Sequence, residues 1–144
     1  MKRKYFILPF VLVALIAVTA LTGCNGNSGG ASAPPSEAVQ GVYEIGQGAV
    51  VFRFEVVDDA EVLTVWEVST DEETVAAALV GVGLISGDES DWGLMVIEVN
   101  GLVADWDANQ SFWAFYIDGE FAMAGADATD IEPGATYAFV YTAG

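Results

Sequence analysis

The 144-residue chain carries 21 Asp and Glu against 4 Lys and Arg, with no His and a single Cys, for a formal net charge of −17. Without His, neither a Ser-His-Asp or Cys-His nucleophile system nor a His-ligated metal site can be assembled. The acidic balance excludes nucleic acid as a partner, because phosphate binding requires clustered Lys and Arg.

Three of the four bases, Lys2, Arg3 and Lys4, sit together ahead of an apolar run from Tyr5 to Leu21 that only Pro9 and Thr19 interrupt. A basic start followed by an apolar stretch and small residues describes a secretory signal. The run is slightly short for a membrane-spanning helix, which needs about 20 apolar residues. It ends in Leu21-Thr22-Gly23-Cys24, which resembles the bacterial lipobox. That resemblance implies that residues 1–23 are a removed signal peptide and that the thiol of Cys24 receives a diacylglyceryl group. The membrane would then be a partner through the lipid anchor, and two acyl chains anchor stably where one is marginal. The alternative is a plain secretion signal with an incidental Cys24. The expected location is the extracytoplasmic face of the cell membrane, at a Gram-positive surface or in a periplasm.

Removing 23 residues leaves 121, and 21 acids against Arg53 alone give that chain a side-chain charge of −20. With its only Cys lipidated, the protein has no disulfide to draw on and must fold on its core. Residues 24–41 continue from Cys24 as NGNSGGASAPPSEAVQG, a Gly/Ser-rich stretch stiffened by Pro34-Pro35 with little to bury. It reads as a tether.

The remaining residues 42–144 have the size of one domain. Val50, Phe52, Phe54 and Val56 alternate with polar residues as a strand, and Val62 to Ser69 returns as a second one after Asp58-Asp59-Ala60. Thr70 is placed to cap a helix, with Glu73 completing a capping box and Val75, Ala76, Ala78 and Leu79 forming its apolar face. Gly81 or Gly83 ends it. Ser86 to Asp91 reads as a loop. Leu94 to Asn100, Phe112 to Ile117, Glu120 to Met123 and the alternating Tyr137, Phe139 and Tyr141 supply further strands. Asn100-Gly101 and Asp118-Gly119 are tight-turn signals. The expected fold is α+β, a β-grasp-like mixed sheet with one covering helix.

Ordered segments from Val68 to Thr142 resemble the transcobalamin-like C-terminal domain family of bacterial surface lipoproteins and animal cobalamin carriers. The segments are Thr70 to Leu79, Gly83-Leu84-Ile85, Trp92-Gly93-Leu94, Val99-Asn100-Gly101-Leu102, Phe112 to Gly119, Gly125-Ala126-Asp127 and Tyr137 to Tyr141. The chain departs from the family at two turns, where Asp118-Gly119 replaces Asn-Gly and Gly134-Ala135 replaces Gly-Asp. The resemblance implies a β-grasp ligand-binding module for which a corrinoid is the candidate ligand, with no cofactor required. In the animal carriers the corrinoid lies between this domain and a helical barrel, so a helical-barrel chain or an uptake transporter is the implied partner.

Trp92 with Gly93, Trp113 and Tyr116 are the expected ligand contacts, since aromatic faces hold a planar or amphipathic ligand. Trp113 has a second reading as core, because Trp113, Phe115 and Ile117 share one strand face. Trp92 and Trp106 occupy polar loops with less structural reason to be there. Asp105-x-Asp107-x-Asn109 opens like a calcium loop, but Gln110 stands where Gly is needed and Tyr116 where the bidentate Glu is needed, which excludes an EF-hand. Asp88, Glu89 and Asp91 form a second acidic group and read as solvated. No catalytic or metal site is expected. Lone Arg53 alternates outward with Glu55 and neutralises its neighbours. A surface interaction or adhesion module for a protein or glycan is the competing reading.

Overall fold

The computed structural model describes residues 41–144. The expectations placed on residues 1–40, namely the signal, the lipidated Cys24 and the tether, lie outside the described residues. Among the described residues no helix is long and apolar enough to cross a membrane.

Three strands open the domain: β1 (Val42–Gly46), β2 (Val50–Val57) and β3 (Leu63–Thr70). β2 and β3 are the expected antiparallel hairpin, with Phe52 opposite Val68 and Phe54 opposite Trp66. β1, which has no counterpart in the sequence reading, runs parallel to β3 at the sheet edge. After helix α1 (Val75–Gly81) come β4 (Ile85–Ser90), β5 (Gly93–Val99), β6 (Leu102–Val103) and a single turn of helix, α2 (Trp106–Asn109). β7 (Ser111–Ile117), β8 (Glu120–Phe121) and β9 (Thr136–Ala143) complete the fold.

The architecture is α+β. Six strands form a mixed sheet in the order β1-β3-β2-β9-β7-β8, with β2 and β9 a parallel pair at its centre. The strands between α1 and β7 do not join that sheet. They make a separate three-stranded sheet, β4-β5-β6, which corrects the expectation of one sheet. The segment read as a loop is largely β4. ISGDES lacks apolar alternation and is exposed beyond Ile85, so its strand character comes from backbone pairing with β5.

Side-chain alternation puts Phe52, Phe54, Val68, Trp113, Phe115, Tyr137 and Phe139 on one face of the main sheet. That face packs on Val75, Ala76, Ala78 and Leu79 of α1 and on Ile85 and Val99 of the smaller sheet, in one buried cluster. Aromatic contacts run through it: Phe115 stacks on Phe139 with centroids 5.0 Å apart, and Phe52 meets Tyr137 edge-on at 5.3 Å. The Tyr137 hydroxyl accepts the Glu132 N–H and donates to the Asp130 carbonyl, so its polar tip is satisfied in the core.

The helix begins four residues later than the capping box predicted. Thr70 is the buried last residue of β3, paired with Val50, and its hydroxyl accepts the Glu72 N–H at 3.0 Å. Thr74 caps instead, accepting the Ala77 N–H at 3.3 Å. Strand pairing has claimed the first threonine, and a β-bridge from Thr74 to Asp130 fixes the second. At the other end the Leu84 N–H returns to the Leu79 carbonyl and the Gly83 N–H to Val80, a Schellman stop with Gly83 at the turn. Asn100-Gly101 and Asp118-Gly119 are the expected two-residue hairpin turns, with positive φ at all four positions.

Candidate functional site

The β4–β5 hairpin stands between two grooves. Antiparallel pairing puts Glu89 opposite Leu94 and Asp88 opposite Met95, so successive residues point to opposite faces of the hairpin. On the Glu89/Leu94 side a groove of about 400 Å³ opens against α1. Its walls are the cap Thr74 with Ala76, Ala77 and Val80 along α1, Ser86, Gly87 and Glu89 of β4, Leu94 of β5, and Asp127.

Trp92 is at the tip of this hairpin and is 97% exposed. The tip is held rather than slack. The Ser90 hydroxyl donates to the Gly93 carbonyl at 2.7 Å and accepts the Trp92 N–H at 3.2 Å. Gly93 has φ +105°, and a Cβ there would lie 2.3 Å from Asp127 Oδ2, so the hairpin rests directly on the carboxylate of the 126–128 turn. Gly87 answers a different need. A Cβ on it would lie 1.9 Å from the Met95 carbonyl oxygen, at the point where the β4–β5 register shifts. A Trp exposed on a fixed turn, at the tip of a hairpin that also walls a groove, is a surface that stacking can use.

The four expected ligand contacts do not converge. Trp92 and Gly93 are adjacent at the hairpin tip. Trp113 is 7% exposed, its indole N–H donates to the Ile97 carbonyl at 3.2 Å, and it meets Tyr141 edge-on, so core packing is its role here. One side of its ring still lines a 180 Å³ pocket with Asp58, Asp59 and Asn100, away from the α1 groove. Tyr116 lies on the opposite face of β7, edge-on to Phe121 at 5.7 Å. Strand alternation separates Trp113 from Tyr116, and no ligand in the α1 groove touches both.

Asp105 and Asn109, from the segment that opens like a calcium loop, hold the local backbone and β7 in place. Asp105 caps α2, its Oδ1 accepting the Asp107 and Ala108 N–H groups. Asn109 accepts the Ser111 N–H and hydroxyl and donates to the Tyr141 hydroxyl. Among the described residues no three acidic side chains converge into a cluster able to hold a metal ion. Arg53 does neutralise a neighbour, its Nε 2.6 Å from Glu55 Oε1 on the solvent side.

Val80 of this groove has no place among the expected contacts, although it extends the apolar face of α1, a signal available in the spacing. Asp127 belongs to the Gly125-Ala126-Asp127 segment of the resemblance, where nothing marked it as a contact, and it matters through its approach to Gly93.

A family profile described as "Domain of unknown function (DUF4430)" matches residues 69–143, just over half of the chain. The chain belongs to this family. The DUF4430 segment takes in α1, both grooves and the β7–β9 half of the main sheet. No curated protein matches the sequence. Among solved structures, a candidate metal-binding protein from Ruminococcus gnavus ATCC 29149 is similar with a TM-score of 0.63 and 24% identity, over 67% of this chain and 99% of its own. Haptocorrin in complex with Cbi is similar with a TM-score of 0.55 and 14% identity, over 65% of this chain and 25% of its own. This chain therefore spans about a quarter of haptocorrin. At these identities the likeness is one of fold.

Proposed function

We propose that the protein is a lipid-anchored, extracytoplasmic binding module that captures a small ligand with a flat or apolar face, with a corrinoid as the candidate, and passes it to a helical-barrel partner or uptake transporter. The observation that carries the reading is Trp92, 97% exposed on the hydrogen-bonded tip of the hairpin whose Glu89 and Leu94 line the α1 groove. The fold shared with haptocorrin, solved with Cbi, supports the ligand class. The role is non-catalytic: binding comes from stacking on Trp92, apolar contact with Leu94 and Val80, and polar contacts at Glu89 and Asp127. His is absent, so the ring and amide edges of a corrinoid would be gripped rather than its cobalt. The lipobox at Leu21–Cys24 supplies the anchor, on the cell surface of a Gram-positive envelope.

The test is a titration of the full-length protein in maltoside micelles with cobalamin and cobinamide, following Trp fluorescence and the corrinoid spectrum. Saturable binding at micromolar ligand that Trp92→Ala weakens is the expected result; no saturable change refutes corrinoid capture. Anchoring is tested separately, by loss of the membrane fraction in Cys24→Ser cells. One observation favours the second reading, an interaction module for a protein or glycan. The main-sheet face opposite α1 exposes Val42, Val51, Phe112 and Phe121.

A further inference from the structure

The second groove, on the other face of the β4–β5 hairpin, is built from different chemistry. Met95, 61% exposed, and Ile97 form one wall, and Trp106 and Phe112 form the other. The two rings are 6.2 Å apart between centroids and tilted by 58°, with Trp106 58% and Phe112 41% exposed. Asp88, Asp105 and Asp107 stand along the same cavity of about 340 Å³. That volume falls in the range of small-ligand pockets, about 300–1,000 Å³.

Two features define what fits there. Large aromatic and thioether surface left in water beside carboxylates favours a cation with an apolar body, which the ring faces attract through their quadrupoles while the carboxylates supply long-range attraction. The acids are also uncompensated. Arg53 is the only base among the described residues and is engaged with Glu55 on the main sheet. A hard metal ion is a poor match, because it needs converging oxygens and these carboxylates form no such cluster among the described residues. A weakly hydrated organic ammonium ion meets both demands.

We propose that the groove between Met95 and the Trp106–Phe112 pair binds an organic ammonium ion, with Trp106 as the cation-binding face and Asp88 and Asp107 as its electrostatic rim. This site uses the face of the hairpin opposite the Trp92 groove and does not depend on the corrinoid reading.

The experiment compares choline with its neutral carbon isostere, 3,3-dimethylbutan-1-ol, on the full-length protein in maltoside micelles, following the indole N–H resonances. Choline should shift the Trp106 resonance saturably at millimolar concentration, and the neutral isostere should bind at least about tenfold more weakly. Trp106→Ala should weaken choline binding about tenfold. The exposed Asp88→Asn, which removes no packing, should weaken choline by about threefold and leave the isostere unchanged. Raising the salt concentration should weaken choline alone. Equal binding of the two probes, choline binding that survives Trp106→Ala, or a trilysine peptide that binds where choline does not would each overturn the proposal. A corrinoid titration without response leaves this result standing, because the probes and the resonances differ.

Discussion

Gly87→Ala tests whether the β4–β5 hairpin owes its shape to backbone contact at the register shift. Gly87 has no positive φ, so alanine is conformationally acceptable there and the whole cost is steric. The new Cβ would lie 1.9 Å from the Met95 carbonyl oxygen and 2.9 Å from Val96 Cα, against an ordinary contact of 3.4 Å or more. Both atoms are backbone, so relief requires the two strands to part by more than 1 Å. Separation on that scale removes one or two ladder hydrogen bonds at about 0.5–1.5 kcal/mol each. It also disturbs Leu94 and Val96, which pack on the core. The sum is about 2–3 kcal/mol, in line with overpacking elsewhere. For a domain near 100 residues that corresponds to a fall in Tm of about 10–20 °C. Gly101→Ala is the comparison. It has φ +81° but nothing within 4 Å of a Cβ, so only backbone strain of about 1 kcal/mol applies. Urea unfolding followed by Trp fluorescence measures both. If Gly87→Ala costs less than Gly101→Ala, the reasoning from backbone approach is wrong.

Three further outcomes are expected. Thr74→Ala should cost about 1 kcal/mol in urea unfolding, as loss of an N-cap does; no loss of stability would show that the Ala77 N–H does not depend on it. Trp113→Phe keeps a ring against Tyr141 and removes the indole donor from the Ile97 carbonyl, which still accepts the Ala104 N–H at 2.9 Å, so it should destabilise by about 0.5–1.5 kcal/mol while micromolar ligand binding in the α1 groove is unchanged. Trp92→Ala, at a 97% exposed position, should change stability by no more than about 0.5 kcal/mol. A larger loss would assign Trp92 a packing role and remove the argument for function.

The placement of Trp92 and Trp113 shows where the chain's own pattern suffices. Trp113 alternates with Phe115 and Ile117, and period-two spacing already makes it a core candidate; the structure buries it in that role. Trp92 sits among Asp91 and Gly93 with no periodic partner, and it is indeed exposed. The same spacing separates Trp113 from Tyr116, which lie three residues apart in one strand and so on opposite faces of β7. What spacing could not give is that Trp106 and Met95, from separate elements, meet across a cavity.

Local chemistry determined much of the rest. Asn100-Gly101 and Asp118-Gly119 specify their turns through the positive φ that each position needs. The apolar face of α1 follows from Val75, Ala76, Ala78 and Leu79, and the outward pairing of Arg53 with Glu55 follows from strand alternation. The acidic balance and the absence of His constrained the chemistry before any fold was known. Tertiary structure alone decided that Thr74 rather than Thr70 caps the helix, because backbone pairing with Val50 completes β3 at Thr70. It also decided that ISGDES is a strand and that β4, β5 and β6 form a sheet of their own. Those outcomes rest on hydrogen bonds between distant backbone groups, which side-chain periodicity does not encode. The two grooves flank that separate hairpin, with Leu94 on one side and Met95 on the other.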